Sequence, residues 1–333
     1  MILCLTHSND YYTVDIVMKR FSELGIDTYR LNTDCFSDQL SFDYSISNTA
    51  ATVTITDGDR AITLEEVTGV WHRKSWSIAL PEDLDDNFKP IYLQEYGTMR
   101  TIFMEALKNV SWFNRLSADI RIGNNKWEQL AAAAQQGIEI PKSLFTNDED
   151  KVKAFFYQEC GQQMIAKLHG SLAKSMSGAT GFFPTTLIGE SNLDGLGGLV
   201  YCPMIFQELI PKAYELRIIY INGVFFTGKI NAGASQRGKT DWRIATDVAL
   251  GWEAYTLPDT ICTALTKMMQ QLELFFGAID MIRHTDGHYV FLEVNPQGEW
   301  GMLQRDLNYP IGETIAEQIT AAVAVQQTAL MND

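Results

Sequence analysis

With 333 residues, 46% of them hydrophobic, the chain can bury the cores of two or three packed subdomains. Its net charge of −15 excludes a protein that tracks nucleic-acid phosphates or an anionic membrane surface, though not one that grips a small phosphate-bearing ligand through a few lysines. The five scattered cysteines (Cys4, Cys35, Cys160, Cys202, Cys262) include no CxxC pair; they argue against a disulfide framework or a zinc site and fit a reducing cytoplasm.

In chain order, Ile2–Thr6 has no basic stretch before it and is predicted as a first buried strand rather than a signal peptide. Thr13–Leu24 has the period of an amphipathic helix and stops at Gly25. Thr28–Leu31 is a second strand. Ala51–Thr56 and Ala61–Val67 alternate around Asp57-Gly58 and are predicted as a hairpin. Val70–Trp71 is a short strand leading into His72-Arg73-Lys74, Pro81–Pro90 is an acidic loop, and Tyr92–Leu107 is a helix. Trp71, Trp76 and Trp112 are expected in the core. Residues 1–112 thus form one predicted α/β domain.

A central unit follows over 113–200. Asn125, with Glu128 three residues on, gives a box-like start to a helix that runs from Lys126 to Gln136. Gly137 supplies the left-handed residue that ends it. Lys151–Glu159 is a predicted helix and Met164–Leu168 a strand, ahead of the small-residue stretch Gly170–Gly181 with its Lys174. Leu199–Ile210 and Glu215–Ile221 are predicted strands, and Asn222-Gly223 turns the chain tightly into Val224–Ile230. Pro203, Gln207 and Glu208 interrupt Leu199–Ile210, and no other apolar run approaches the roughly 20 residues of a membrane span. Lys229, Arg237, Lys239 and Arg243 make 229–243 the locally basic stretch. Pro258–Phe275 and Thr314–Gln326 are helices on either side of a last hairpin.

In that hairpin, Gly277–Arg283 and Tyr289–Val294 meet through Asp286-Gly287, a dipeptide that favours a two-residue type I′ turn. Such a turn places Asp280 directly opposite Glu293, with Asn295 two residues on and on the same face. Facing carboxylates destabilise a sheet, and their neighbours Ile279, Met281, Phe291, Leu292 and Val294 leave little water to screen them. A divalent cation would relieve the conflict, and the all-oxygen set of Asp280, Glu293 and Asn295 suits Mg²⁺. The alternative is an edge hairpin with both acids in water.

Gly277-Ala-Ile-Asp280-Met281 and Phe291-Leu-Glu293-Val-Asn295-Pro296 resemble the two-strand metal motif of the ATP-grasp superfamily. Upstream, Asn125-Lys126 and Ile165-Ala-Lys167 are similar to that superfamily's two phosphate lysines. Phe206-Gln207-Glu208-Leu209-Ile210 is similar to the hinge beside the adenine, and Glu215-Leu-Arg217 to a strand whose arginine faces the transferred phosphate. Within the superfamily the chain looks most like the microviridin-type ligases that cyclise ribosomally made peptides, the graspetide synthetases. The segments that carry this are Leu5-Thr-His-Ser8 with Asp15, Val70-Trp-His-Arg73, Cys202-Pro-Met204, Ile210-Pro-Lys-Ala213, Asp241-Trp-Arg243 and Glu293-Val-Asn295-Pro-Gln-Gly-Glu299. His72 stands where that pattern has a tyrosine.

The resemblance implies an α/β chain with an ATP-grasp fold: an N-terminal pre-ATP-grasp domain over 1–112, a central lid subdomain over 113–200, and a C-terminal antiparallel-sheet subdomain over 201–333. It implies an ADP-forming, ATP-dependent ligase acting on a precursor peptide with leader and core segments. Asp or Glu side chains would be activated as acyl phosphates and closed into ester or amide crosslinks. The implied cofactors are ATP and Mg²⁺. Asp280, Glu293 and Asn295 would hold the metal; Lys126, Lys167, Gln207, Glu208, Leu209, Ile210 and Glu215 would surround the nucleotide; Arg217 and Arg243 would be catalytic. No nucleic-acid or membrane partner is expected, the expected location is cytoplasmic, and a homodimer is left open. Two other readings stand: ligation of a free amino acid to a small carboxylate or a protein tail, and a nucleotide-binding scaffold without turnover. Residue by residue, Arg217 could instead pair with Glu215 or Glu208, Lys126 could be solvated, and Gly170–Gly181 could be a lid or a plain loop.

Overall fold

The computed structural model describes residues 1–169, 185–231 and 251–332. The expected lid stretch Gly170–Gly181 with Lys174, and the basic residues Arg237, Lys239 and Arg243 with Asp241-Trp242, lie outside the described residues. The chain divides into two compact units, Met1–Ser117 with Pro310–Asp333, and Ala118–Tyr309.

The first unit begins with β1 (Ile2–Thr6), α1 (Tyr12–Glu23) and β2 (Thr28–Asn32). β1 is buried at every position, as suits an inner strand of a parallel sheet. α1 buries Thr13, Val14, Val17 and Phe21, a helical stripe, and the turn after it is made by Gly25 at φ +71°. Next comes a meander of β3 (Leu40–Ile46), β4 (Ala51–Asp57) and β5 (Arg60–Thr63). The sequence reading gave it only as a hairpin, although Leu40, Phe42 and Tyr44 alternate with exposed neighbours along β3. β6 (Gly69–His72), α2 (Lys89–Ala106) and β7 (Ser111–Phe113) complete the unit's first part, and the parallel sheet runs β2-β1-β6-β7. Trp71 and Trp112 are core residues as expected, but Trp76 is 45% exposed. It lies beyond the end of β6 and stacks on His7, with ring centroids 3.7 Å apart.

The second unit opens with α3 (Leu116–Gly123), which crosses the boundary, and α4 (Lys126–Gln135). The Asn125 side chain accepts from Glu128 N at 3.1 Å and donates to Glu128 Oε2 at 3.1 Å, so the predicted cap is present; such a cap is worth about 1 kcal/mol. A four-stranded sheet, ordered β10-β9-β11-β8, is built from β8 (Ser143–Thr146), β9 (Met164–Lys167), β10 (Thr186–Ile188) and β11 (Met204–Glu208). The helix α5 (Glu149–Gln158) packs on one face through Val152 and Phe156. The predicted strand over Leu199–Ile210 is corrected here: Glu190–Tyr201 coils as a 3₁₀ helix, and only Met204–Glu208 is extended. A short apolar run does not by itself distinguish the two.

The larger sheet is antiparallel, in the order β14-β13-β12-β15-β16. Its strands are β12 (Lys212–Ile221), β13 (Val224–Ile230), β14 (Glu253–Tyr255), β15 (Phe276–His284) and β16 (Tyr289–Asn295). β12 and β13 turn at Asn222 (φ +45°) and Gly223 (φ +94°), the tight hairpin expected of that dipeptide. One face carries Leu216, Ile218, Tyr220, Ile279, Met281, Phe291 and Val294. They share a core with Leu265, Met268 and Met269 of α6 (Asp259–Gln271). The other face carries Arg217, Asp280 and Glu293 beside the buried Ile219, Ala278 and Ile282. After α7 (Gly301–Leu307), the last helix α8 (Ile311–Asn332) returns to the first unit. It packs on α1, where Arg20 and Glu317 pair at 2.6 Å, and on β6. Gly69 permits this closeness, since a Cβ there would stand 2.9 Å from Val323 Cγ2. Residues 310–333 therefore cluster with the N-terminal unit, whereas the sequence division put them with the C-terminal subdomain.

Candidate active site

Three adjacent strands of the larger sheet bring three charged residues side by side. Arg217 on β12 is the register partner of Asp280 on β15, and Asp280 is the partner of Glu293 on β16. Asn295, opposite Ala278, lies on the same face. The carboxylates therefore face each other as expected, but by a different route. The loop is not a two-residue type I′ turn: Gly287 N donates to His284 O at 3.0 Å with Gly287 at φ +98°, a three-residue connection ending in a left-handed glycine. This pairs Met281 with Phe291, one residue out of the expected register, and a bulge at Leu292 then restores the pairing at Asp280 and Glu293.

Each carboxylate already has a cation. Arg217 Nη1 donates to Asp280 Oδ1 at 2.9 Å and Oδ2 at 3.0 Å, and its Nη2 donates to the Glu299 carbonyl at 3.0 Å. Arg217 thus pairs with Asp280, whereas Glu215 takes Lys212 at 2.7 Å. Lys126 Nζ, from the first turn of α4, donates to Glu293 Oε2. The four side chains are 10–22% exposed, so solvent screens these pairs only in part. Asn295 is exposed, and its Oδ1 caps the following turn by accepting from Gln297 N at 3.0 Å.

What holds Lys126 in place was not read from the sequence. Gln129, one turn further along α4 and buried, accepts from Val294 N at 2.9 Å and donates to Ile122 O at 2.7 Å. Farther down the same edge strand, Phe291 N donates to Glu139 O at 2.8 Å. The outer ladder of β16 is thereby tied to α4 and to the segment that follows it. A polar side chain on the inward face of an alanine-rich helix was the available signal for Gln129.

The other predicted residues lie on the smaller sheet. Lys167 ends β9 opposite Ile205, and Gln207 pairs with Ile165, so Lys167 and Gln207 share the face away from α5. Gln207 is buried and donates to Ser143 Oγ at 2.8 Å. Glu208 Oε1 accepts from Lys142 N at 2.8 Å, and Leu209 N donates to Gln163 O at 2.9 Å. Leu209 and Ile210 follow as partly exposed backbone beyond the strand. Trp127 of α4 meets Phe145 of β8, ring centroids 5.6 Å apart, on that same face. The start of α4 therefore touches both sheets: Lys126 reaches one and Trp127 the other.

In the first unit the singled-out segments converge at the carboxyl ends of β1 and β6, where open α/β sheets receive ligands. Asp10 accepts from Thr6 Oγ1 and Thr13 Oγ1, each at 2.9 Å, and lies 3.6 Å from Arg73 Nε. Burial opposes ionisation of Asp10, but Arg73 and the two hydroxyls outweigh it and hold the carboxyl below the usual range. Burial likewise pushes His7 down towards its neutral form. His72, at the departure from the family pattern, bonds through Nε2 to Ser75 Oγ at 2.7 Å. Asp15 lies 3.7 Å from Arg30 Nη1.

An MvdD pre-ATP grasp domain model matches residues 1–120, and a RimK-like ATP-grasp domain model matches residues 123–319. The fold and the site thus define an ATP-dependent ligase of the ATP-grasp class. The chain belongs to the RimK-like ATP-grasp family and carries an MvdD-type pre-ATP-grasp domain in front. Among solved structures it is similar to the macrocyclase MdnC bound with precursor peptide MdnA from Microcystis aeruginosa MRC (32% identity, 96% of this chain and 99% of that one, TM-score 0.83). It is similar also to the macrocyclase MdnB from the same source (33%, 96% and 98%, 0.78). A third is the Chryseobacterium gregarium RiPP-associated ATP-grasp ligase in complex with ADP and a leader and core peptide (27%, 96% and 96%, 0.87). Comparison with curated proteins gave no match. Among the described residues, no helix is long and apolar enough to cross a membrane.

One glycine supports the arginine directly. A Cβ on Gly298 would stand 2.2 Å from Ala278 Cβ and 3.0 Å from Arg217 Nη2. Gly298→Ala is therefore expected to push the guanidinium off Asp280 and to lower ADP release by on the order of 10²-fold, the cost of an ångström-scale misplacement. Wild-type turnover in that variant would refute the placement argument.

Proposed function

We propose that this chain activates Asp or Glu side chains of a ribosomally made precursor peptide as acyl phosphates and joins them to side-chain hydroxyls or amines, closing rings. The observation that carries the chemistry is the Arg217–Asp280–Glu293 row on one sheet face, with Lys126 of α4 paired to its last member. The acceptor class is supported by the likeness, over nearly the whole chain, to MdnC with its precursor peptide and to a ligase with leader and core peptides.

Asp280, Glu293 and Asn295 fit Mg²⁺, because they offer oxygen donors only, on one face, from paired strands. Bound there with ATP, Mg²⁺ supplies charge neutralisation, and ATP the phosphoryl group that turns a carboxylate into a competent acyl donor. Arg217 and Lys126 pair with the two carboxylates in this structure. With Mg²⁺ held by those oxygens, both side chains would be available to phosphate oxygens. Arg217, a planar fork, suits two oxygens of the transferred group; Lys126 and Lys167 act as point charges. Gln207, Glu208, Leu209 and Ile210 line the adenine, with Glu215 beside Arg217 on β12. Arg243 is assigned to the substrate carboxylate or acyl phosphate on its sequence context alone. A cytoplasmic location completes the reading.

Mass spectrometry of a candidate precursor incubated with the enzyme, ATP and Mg²⁺ tests the acceptor. The expected result is the loss of one water per ring formed. ADP release driven by free amino acids, with no mass change in any peptide, would replace this reading by that of an amino-acid or protein-tail ligase.

A further inference from the structure

The far end of the β15–β16 hairpin carries a cluster that the nucleotide site does not use. His284 ends β15 and His288 stands just before β16, and His284 N donates to His288 O at 2.9 Å, so the two are directly opposed across the turn. Opposed residues on neighbouring strands have side chains close enough to share one ligand. Here the imidazoles stack, with ring centroids 4.3 Å apart and planes 13° from parallel. Asp286, in the loop between them, closes the third side: its Oδ1 lies 2.5 Å from His284 Nδ1 and its Oδ2 4.0 Å from His288 Nδ1. One donor atom from each of the three lies within 4.8 Å of the others. Glu139 Oε1 stands 3.3 Å from Nε2, the other nitrogen of His288, where it orients the ring.

The frame beneath this cluster is firm. Thr285 N donates to Pro211 O at 3.2 Å, and β16 is tied along its outer edge at Phe291 N. The three donors therefore converge from a hydrogen-bonded ladder and a closed turn. Two imidazole nitrogens and a carboxylate oxygen are the donor set of borderline divalent ions such as zinc, whereas Mg²⁺ favours oxygen alone. Cysteine spacing argued against zinc in the sequence, but this set is built from histidines that only the turn brings together.

We propose that His284, Asp286 and His288 bind a divalent transition-metal ion of the zinc class, at a site separate from Asp280, Glu293 and Asn295, and that the ion pins the tip of the hairpin. The test is a titration of the untagged full chain with Co²⁺ and Zn²⁺ in excess Mg²⁺. The readouts are the Co²⁺ absorption bands and competition against a chromophoric chelator. One saturable equivalent per chain is expected. His284→Ala and His288→Ala should each weaken it by about 10–100-fold or more, at least the loss caused by disturbing a metal's surroundings. His169→Ala, which removes an exposed histidine elsewhere, and Glu293→Gln should leave it unchanged. Melting temperatures with a chelator present should match the parent, separating lost ligation from lost folding. The absence of a saturable equivalent, or its survival in both histidine variants, would overturn the proposal, as would its loss in Glu293→Gln.

Discussion

Replacing Asp280 or Glu293 by alanine is expected to abolish ATP consumption while leaving the fold intact. The drop in ADP release should be at least about 10²–10³-fold, the cost of removing one preorganised charge-stabilising group. The accompanying loss of stability follows from the ion pairs. At 10–22% exposure, Arg217–Asp280 and Lys126–Glu293 lie between surface pairs and buried ones. Each truncation should therefore cost about 1–2 kcal/mol, between the values typical of those limits, which a domain with 5–15 kcal/mol of stability survives. Asp280→Asn and Glu293→Gln sharpen the experiment, because the amides keep shape and one acceptor oxygen while losing the charge. Undiminished ADP release in both alanine variants would refute the metal assignment.

The second large effect is expected at Arg217. Its planar head makes two kinds of contact at once, with both oxygens of Asp280 through Nη1 and with the Glu299 carbonyl through Nη2. An ammonium has the charge but not the fork. Arg217→Lys should therefore lose on the order of 10²-fold in turnover, as removal of one oriented donor does. Arg217→Ala should lose more, because Asp280 would then face Glu293 without the guanidinium that pairs with it. Full activity of the lysine variant would show that charge alone suffices and that the two-point grip is irrelevant to transfer.

The sequence carried much of this site because its parts are local. Asn125 and Glu128 cap a helix within one turn, and Lys126 is the next residue in line. Asn222-Gly223 turns β12 into β13 through its own left-handed backbone angles. What escaped was set by packing across the chain. Gln129 matters because Val294 N lies opposite it, Gly298 because Ala278 and Arg217 crowd it, and Glu299 because its carbonyl reaches Arg217. No spacing rule places these together. The start of the strand expected over Leu199–Ile210 differs for another reason: an apolar run from Leu199 suits a strand or a tight helix equally, and Leu199 packs with Leu193 in the 3₁₀ form. A terminal helix, read alone, does not declare which sheet it covers, and α8 clusters with the N-terminal unit.

The two irregularities of the β15–β16 hairpin, an extra residue at its tip and another at Leu292, cancel where Asp280 meets Glu293. Because side chains alternate between faces, Glu293 would share the core face of Phe291 in a regular strand, and the extra residue at Leu292 turns it to Asp280 instead. Loss of that residue would leave Phe291 and Glu293 adjacent and still on opposite faces, and loss of one residue from the tip would leave His284 opposite His288. Related chains can therefore differ by a single gap at either place without parting the two acids, and the lengths of this hairpin's parts would trace kinship where residue identities have drifted.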